Sequence, residues 1–198
     1  MSGTKSQSRT RSSNLDEGNT FSLPASHRGF TLVELLTVVG IMFVVAAIGV
    51  PKLITAVHVS RTRSGADAVL SVVQQARAFA ERKNTTVNIY VGAVAGGSTG
   101  AFADTTGSGS SFHAGDVYAT YPANVTSGSY SNAPGNLSSV IGFTPSTSAT
   151  LSFNSLGLES ATVGVVFCVT DPYGDWAAVS VSPLGRSKVW IWTGAKWQ

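Results

Sequence analysis

One apolar stretch near the N-terminus constrains this chain more than any other feature. Residues 30–50 contain a single charged side chain, Glu34, among aliphatic, aromatic and small residues. As a helix rising 1.5 Å per residue, the stretch would span roughly 31 Å, which matches a bilayer core of about 30 Å. A core helix of a soluble domain would show a polar face over this length, and this segment shows none. We therefore predict a membrane-inserted helix at residues 30–50.

The length of the segment and the charged residues in and around it indicate which kind of membrane segment it is. The apolar run is longer than the core of a secretory signal peptide, which is about 7–15 residues. Basic residues do not decide its orientation, because Arg28 precedes it while Lys52 and Arg61 follow it. Glu34 would cost roughly 2.5–3.5 kcal/mol at the centre of a bilayer and less near its edge. The carboxylate therefore needs a cationic partner, unless it only extends to the membrane surface.

The start of the segment resembles a known signal. Gly29-Phe30-Thr31-Leu32-Val33-Glu34, followed by an apolar run, is similar to the class III signal of type IV pilins and pseudopilins. The resemblance implies that a prepilin peptidase cuts between Gly29 and Phe30 on the cytoplasmic side and then N-methylates Phe30. Residues 1–29 would be the leader. The N-terminus would lie in the cytoplasm, and the C-terminal domain would lie in the periplasm.

Cleavage would also supply a partner for Glu34. It leaves an ammonium group on Phe30, four residues and about one helical turn from the carboxylate. In the family, the stronger pairing is with the terminal amine of a neighbouring subunit, which favours docking in the correct register. The resemblance thus implies a single-pass protein of the bacterial inner membrane. It would contact membrane lipid before assembly and would later join a periplasmic filament.

A second helical pattern follows Pro51. Its apolar residues recur at three- and four-residue steps: Ala66, Val69, Leu70, Val73, Ala76 and Ala80. We predict one long helix from about Phe30 to Arg82, bent at Pro51, with residues 51–83 as its periplasmic continuation packed on a soluble domain. The alternative is a separate helix that starts with a capping box at Ser64–Asp67.

Residues 84–198 have the composition of a β domain. Alternating or continuous apolar stretches predict strands at 86–91, 116–121, 139–143, 149–153, 162–170, 176–182 and 187–193. The Gly/Ser-rich residues near 92–115 predict a long loop or an irregular hairpin. The last third reads as a meander of consecutive antiparallel strands. The predicted fold is therefore α+β: a long N-terminal helix, transmembrane in its first half, packed on a C-terminal antiparallel β-sheet meander, as in the pilin-like roll.

Several short pieces give a narrower resemblance. They are Ala76-Arg77-Ala78, Val87-Asn88-Ile89, Phe153-Asn154-Ser155-Leu156-Gly157 and Ser182-Pro183-Leu184-Gly185-Arg186. Together they resemble the GspH/FimT group, which comprises the H-type minor pseudopilins of type II secretion and related minor pilins of type IV pili. The resemblance implies few copies per filament, at or near its tip, and a role in assembly. The partners would be the prepilin peptidase, other major and minor pseudopilins or pilins, and the inner-membrane assembly platform.

Basic and aromatic residues gather at the C-terminus. Arg186, Lys188 and Lys196 lie near Trp190 and Trp192, and basic groups beside aromatic rings can grip a nucleic-acid strand. Some pilus members of the group serve DNA uptake, and Gly185-Arg186-Ser187-Lys188 is similar to the basic motif involved. The alternatives are a solvated surface for the charges, and core packing or subunit contacts for the tryptophans. A uniformly basic domain is excluded, because no Lys or Arg lies between Lys83 and Arg186.

Two features resemble catalytic groups and predict no chemistry. Gly96-Gly97-Ser98-Thr99-Gly100 matches G-x-S-x-G, but the residues after Ser98 are not helix-forming, as a nucleophile elbow requires. A hydrolase tethered by an uncleaved anchor is therefore the weakest alternative. Cys168 lies in an apolar run without a basic neighbour, which predicts a buried small side chain. We predict that the chain is not an enzyme and has no cofactor.

Metal ligands are also too sparse. The three histidines, His27, His58 and His113, have no ligand spacing. Asp171 and Asp175 alone provide too few oxygens for the calcium loop that major pseudopilins carry. We predict no metal site.

Overall fold

The computed structural model describes residues 29–146, 150–160 and 163–198. The leader up to Arg28 and the predicted strand starts at 149 and 162 lie outside the described residues. The chain divides into two compact units, one ending at Val44 and the other covering Val45–Gln198.

The first element is one long helix, α1, from Leu32 to Lys83. It continues through Pro51 and Ser64, so the prediction of a single helix is confirmed over the alternative of a separate start. Thr31 caps it, because the backbone N–H of Glu34 donates to the Thr31 Oγ1 at 3.2 Å. Asn84 follows the helix with φ 50°, a left-handed position that Asn tolerates. By length and composition, α1 can cross a membrane.

The second half of α1 supplies one side of the core. Its buried residues are Thr62, Gly65, Ala66, Val69, Val72, Val73, Ala76 and Ala80. The predicted stripe is thus confirmed, except that Leu70 is only half-buried at its edge. Gly65 allows a close approach, since a Cβ there would lie 2.8 Å from the Val125 Cγ1.

Two antiparallel four-stranded sheets pack with this face of α1. The first has the order β3-β2-β1-β5 and is built from β1 (Val87–Ala93), β2 (Thr99–Asp104), β3 (Val117–Thr120) and β5 (Leu151–Phe153). The second has the order β4-β6-β7-β8 and is built from β4 (Thr126–Gly128), β6 (Val165–Thr170), β7 (Trp176–Val181) and β8 (Ser187–Ile191). The predicted α+β class, a long helix on antiparallel strands, is confirmed.

The connection of the last strands differs from the prediction. β6, β7 and β8 form a meander, but β5 leaves it and pairs with β1, with Phe153 opposite Val87 and Leu151 opposite Ile89. All four side chains are buried in the core that includes α1. This burial holds β5 in the first sheet. The strands therefore form two sheets, where the prediction was one continuous meander.

A predicted strand at 139–143 is wrong, because Leu137–Ile141 forms the short helix α2. The Asn136 Oδ1 accepts from the Ser139 N–H at 3.4 Å, and Gly142 ends the turn with φ 79°. An Asn before a helix and a Gly after it are signals of helix ends. In α2 they outweigh the β propensity of the branched residues Val140 and Ile141.

The Gly/Ser-rich stretch near 92–115 also differs from a simple loop. β2 lies inside it and buries Ala101, Phe102 and Ala103. The rest is ordered by two aspartates. The Asp116 Oδ1 accepts from the N–H groups of Thr105 and Thr106 at 3.0 and 3.2 Å. Burial would raise the pKa of Asp104, but backbone N–H donors from residues 107–109 outweigh it and lower that pKa.

The second sheet is covered on both faces. Val165, Phe167 and Val169 of β6 lie in the core with α1, whereas Val166 and Cys168 lie in a second cluster with α2 and the tryptophans. This is why β6 is apolar at nearly every position. Cys168 is buried as predicted, and burial raises the pKa of its thiol to about 12.

Candidate functional sites

The N-terminal signal residues are all accessible. Gly29 and Phe30 precede α1, and the Phe30 side chain is 75% exposed. Glu34 lies in the first turn of the helix and is exposed. Among the residues that the structure describes, its carboxylate has no hydrogen bond or ion pair. An accessible backbone at Gly29–Phe30 and an unpaired carboxylate are what processing and pairing would require.

The same helix carries a long apolar surface. From Leu32 to Val57 its large apolar side chains are exposed, including Leu36, Phe43 and Ile48. A surface of this extent cannot remain in water, so it requires lipid or other protein. The observation fits both the predicted membrane segment and the core of a filament.

The motif pieces of the narrower resemblance come together in space. Arg77 on α1 donates from Nη1 to the carbonyl of Gly185 at 3.1 Å and from Nε to the Glu81 Oε1 at 3.1 Å. Gly185 in turn lies against Gly157, since a Cβ at Gly185 would be 2.8 Å from the Gly157 carbonyl oxygen. Three distant pieces of sequence thus form one structural unit at the C-terminal part of α1.

The two turns in this unit have the same construction. In turn 154–157 the Gly157 N–H donates to the Asn154 carbonyl at 2.9 Å, and in turn 182–185 the Gly185 N–H donates to the Ser182 carbonyl at 2.8 Å. Both glycines have a positive φ, 69° and 74°. We call these two segments the paired turns.

The predicted C-terminal contact residues separate into two groups. Arg186, Lys188 and Lys196 are exposed. Trp190 is buried, and its Nε1 donates to the Ser180 Oγ at 2.8 Å. The Lys188 Nζ lies 3.6 Å from the centre of the Trp190 ring, a cation–π contact. Trp190 therefore serves packing, and it offers no free ring face for a nucleic-acid base.

The other C-terminal aromatics also belong to packing. Trp192 and Trp197 have ring centres 5.6 Å apart, and the Trp197 Nε1 donates to the Pro134 carbonyl at 2.7 Å. Trp192 is half-buried beside them. The predicted contact role of these residues stays a prediction. Arg186 and Lys196 are exposed, whereas the exposed Lys188 already contacts the Trp190 ring.

Sequence analysis missed one polar cluster. The His58 Nδ1 lies 3.6 Å from the Asp171 Oδ2, and the His58 ring stacks on Tyr173 with centres 3.8 Å apart. The Asp171 Oδ1 accepts from the N–H groups of Tyr173 and Asp175 at 3.0 and 2.9 Å. The cluster joins α1 to the β6–β7 turn. No local signal pairs residues this far apart in sequence.

Sequence analysis also missed a buried carboxylate. Glu159 is buried opposite Phe153, and neither of its carboxylate oxygens has a hydrogen-bond partner in the described part of the chain. Burial raises its pKa to about 7. We therefore expect this group to make the stability of the fold depend on pH.

The G-x-S-x-G residues form a hairpin connection. Gly96 and Gly97 lie in a short 3₁₀ turn after β1, and Ser98 leads directly into β2. A nucleophile elbow needs a strand before the serine and a helix after it, so Ser98 lacks that geometry. Within residues 29–146, 150–160 and 163–198, no three His, Cys, Asp or Glu side chains lie close enough to hold a metal ion.

Comparisons with known proteins agree with the N-terminal prediction. Residues 24–50 match the family model described as the prokaryotic N-terminal methylation motif. The predicted type IV pilin and pseudopilin signal is thereby confirmed. The matched segment contains Gly29, Phe30 and Glu34 and ends at Val50.

Two solved structures are similar in fold. Both are crystal forms of the type IV minor pilin FimU from Pseudomonas aeruginosa (strain PAO1). One is 17% identical and covers 70% of this chain and 93% of FimU, with a TM-score of 0.46. The other is 16% identical and covers 69% and 96%, also with a TM-score of 0.46. No curated protein sequence matches this chain.

Proposed function

We propose that this chain, which carries the N-terminal signal of type IV pilins and pseudopilins, is a low-copy structural subunit of a filament of that superfamily. The observation that supports this most is the methylation motif at residues 24–50. It opens a 52-residue helix whose apolar first half is exposed among the residues that the structure describes. Its work is mechanical and concerns assembly.

Processing would prepare the chain for assembly. Hydrolysis of the Gly29–Phe30 amide by prepilin peptidase leaves a carboxylate on the leader and an ammonium group on Phe30, which is then methylated. The ammonium lies about one helical turn from Glu34. Before assembly the pair can form within one chain. In the filament the Glu34 carboxylate pairs with the Phe30 amine of a neighbour, which favours one register over others.

The apolar half of α1 would pass from lipid to protein during assembly. Both surroundings are apolar, so this transfer brings little hydrophobic free energy by itself. A charge pair in such surroundings is stronger than in water. Glu34 is therefore the residue that gives the association its specificity.

Two machines use subunits of this kind. The first candidate is the pseudopilus of a type II secretion system, where the chain would act in assembly or at the tip. The second is a type IV pilus, where it would be a minor pilin. The methylation motif is common to both. Deleting the gene and measuring secreted proteins and surface pili in the same strain distinguishes them: loss of secretion supports the first, and loss of pili supports the second.

Filament incorporation tests the general proposal. We expect the full-length chain, expressed at its native level, to appear in sheared or detergent-extracted filaments at a few copies beside the major subunit. Glu34→Gln should remain processed, but its content in that fraction should be at least tenfold lower. If wild-type protein never co-purifies with filaments of either machine, the proposal is wrong.

A DNA contact remains a second proposal for the pilus alternative. The exposed Lys188 lies in β8, and the exposed Arg186 lies in the turn directly before it, so two basic side chains are close together in the sequence. Because Trp190 is buried, the contact would be to phosphates rather than by base stacking. We expect weak, salt-sensitive DNA binding that falls when both residues become Ala, with Lys83→Ala as the control. No binding at low salt would exclude it.

A further inference from the structure

The paired turns expose two leucines. Leu156 is 72% exposed and Leu184 is 66% exposed, each directly before the glycine of its turn. Turns of this kind require Gly at the position with positive φ, but nothing in their geometry requires Leu before it. Polar residues would serve the turns equally well. The two apolar side chains therefore contribute little to the fold of this chain.

Several contacts hold the two turns that carry these leucines in place. Gly185 touches the Gly157 carbonyl, Arg77 holds Gly185, and Glu81 lies against Gly157. Single exposed leucines are ordinary on protein surfaces, but these two lie directly before glycines that approach each other closely, on turns held by Arg77 and Glu81. Preorganisation lowers the entropy cost of binding. The Arg77–Glu81 ion pair keeps the charge beside the leucines balanced.

A second unpartnered surface lies at the start of the same compact unit. Val50, Leu53, Ile54 and Val57 follow the i, i+3, i+4, i+7 pattern of one helix face, and all four are exposed. We call this face the neck. At 3.6 residues per turn, it points about a third of a turn away from the buried stripe of residues 62–80. The sheets that cover the buried stripe therefore do not cover the neck.

One chain cannot bring these two surfaces together. Val57 and Arg77 are twenty residues apart on α1, which corresponds to about 30 Å along the helix. The paired turns are fixed beside Arg77, so they cannot reach the neck of the same molecule. A contact between different surfaces of two subunits is heterologous, and it builds an open filament when the rotation between the subunits does not close into a ring.

We propose that the paired turns bind the apolar neck of a neighbouring filament subunit, through Leu156 and Leu184. The inference rests on the proposed function, because the neighbour is taken to be a filament subunit that, like this chain, carries an aliphatic helix face at the end of its membrane span. The chemistry is matched: two aliphatic side chains meet an aliphatic helix face. The one charge of the neck region, Lys52, lies off that face.

Site-specific photo-crosslinking in cells tests the contact. A benzophenone amino acid is placed at Leu156 or Leu184 of the full-length chain, with all filament partners present. Val140 is the matched control, because it is an exposed aliphatic residue on α2. We expect adducts whose crosslinked peptide maps to the ten or so residues after the membrane span of another subunit. Adducts that map elsewhere, or none above the Val140 control, would overturn the proposal.

A second measurement separates this inference from the proposed function. The double variant Leu156→Ser with Leu184→Ser should lower incorporation into filaments at least tenfold. Its thermal unfolding and its processing to a mature chain should stay as in the wild type, and so should incorporation of Val140→Ser. Normal incorporation of the double variant would sink the inference and leave the proposed function standing. Absence of the wild-type chain from filaments would remove both.

Discussion

Arg77 and Gly185 are joined by a hydrogen bond of 3.1 Å across 108 residues of sequence. This bond connects the long helix to the turn before the last strand, and Gly157 of the other turn lies beside it. Arg77, Asn154–Gly157 and Ser182–Gly185 all belong to the pieces that gave the narrower family resemblance. Their shared role in this chain is to brace the two turns on the helix.

Loss of the arginine should loosen this brace. Arg77→Met retains an apolar stem but removes the bonds to Gly185 and Glu81. Since Arg77 is partly exposed, we expect a loss of about 1 kcal/mol, or about 2–4 °C in the unfolding temperature. Near-UV circular dichroism of the full chain in detergent measures it. Gln74→Met, on the exposed side of α1, should have little effect; equal shifts for both would contradict the brace.

The glycine of the second paired turn should tolerate no side chain. Gly185→Ala combines a positive φ with a Cβ placed 2.8 Å from the Gly157 carbonyl oxygen, and we expect a cost of roughly 3 kcal/mol. Gly194 is the matched control, because it also has a positive φ but no atom within 4 Å of the added Cβ. Gly194→Ala should cost only the backbone strain, roughly 1–2 kcal/mol. The same unfolding measurement compares them, and identical costs would show that the close contact is absent.

The buried carboxylate should make stability depend on pH. Burial raises the pKa of Glu159 from 4.5 to about 7, so the folded chain holds this proton more tightly than the unfolded chain. Its contribution is therefore fully present below pH 4.5 and is lost as the pH rises to about 7. Glu159→Gln should gain stability over the wild type across this range, on the order of 1 kcal/mol.

Denaturant unfolding at pH 4.5 and pH 8 measures this difference. The exposed Asp67 on α1 provides the control, and Asp67→Asn should give no comparable change between the two pH values. A constant difference between wild type and Glu159→Gln would show that the pKa of the carboxyl is the same in the folded and the unfolded chain.

Charge removal in the first helical turn should separate processing from assembly. Glu34→Gln keeps the shape of the side chain and a good helix former, so membrane insertion and cleavage should continue. We expect at least a tenfold lower content in filaments, because the Phe30 ammonium of the neighbour loses its partner. Thr37→Val, one turn on, should behave as wild type. Quantitative mass spectrometry of the membrane and filament fractions decides it, and equal filament content for Glu34→Gln and wild type would contradict the pairing.

The sequence predicted the parts of the fold that depend on local patterns. The apolar stripe of α1 and the alternating residues of β7 have a periodicity that reports their environment directly. The methylation motif is also local, since Gly29, Phe30 and Glu34 lie within six residues, and it could therefore be recognised from the sequence.

Parts that depend on distant packing were missed. Leu151 and Phe153 pair with β1, because they complete a core that only exists once α1 and both sheets are in place. The contact of His58 with Asp171 likewise has no local signature. The helix α2 does have a local signal, Asn136 before it and Gly142 after it, which overrides the β propensity of Val140 and Ile141.

The central claim is that this chain is a processed pilin-type subunit, and intact mass tests it most directly. The protein is purified from cells with and without their prepilin peptidase. We predict a mature chain that begins with methylated Phe30 only when the peptidase is present, which gives Glu34 its ammonium partner. A chain that retains Gly29 and its leader in both strains would contradict the account, and a plain membrane-anchored domain would replace it.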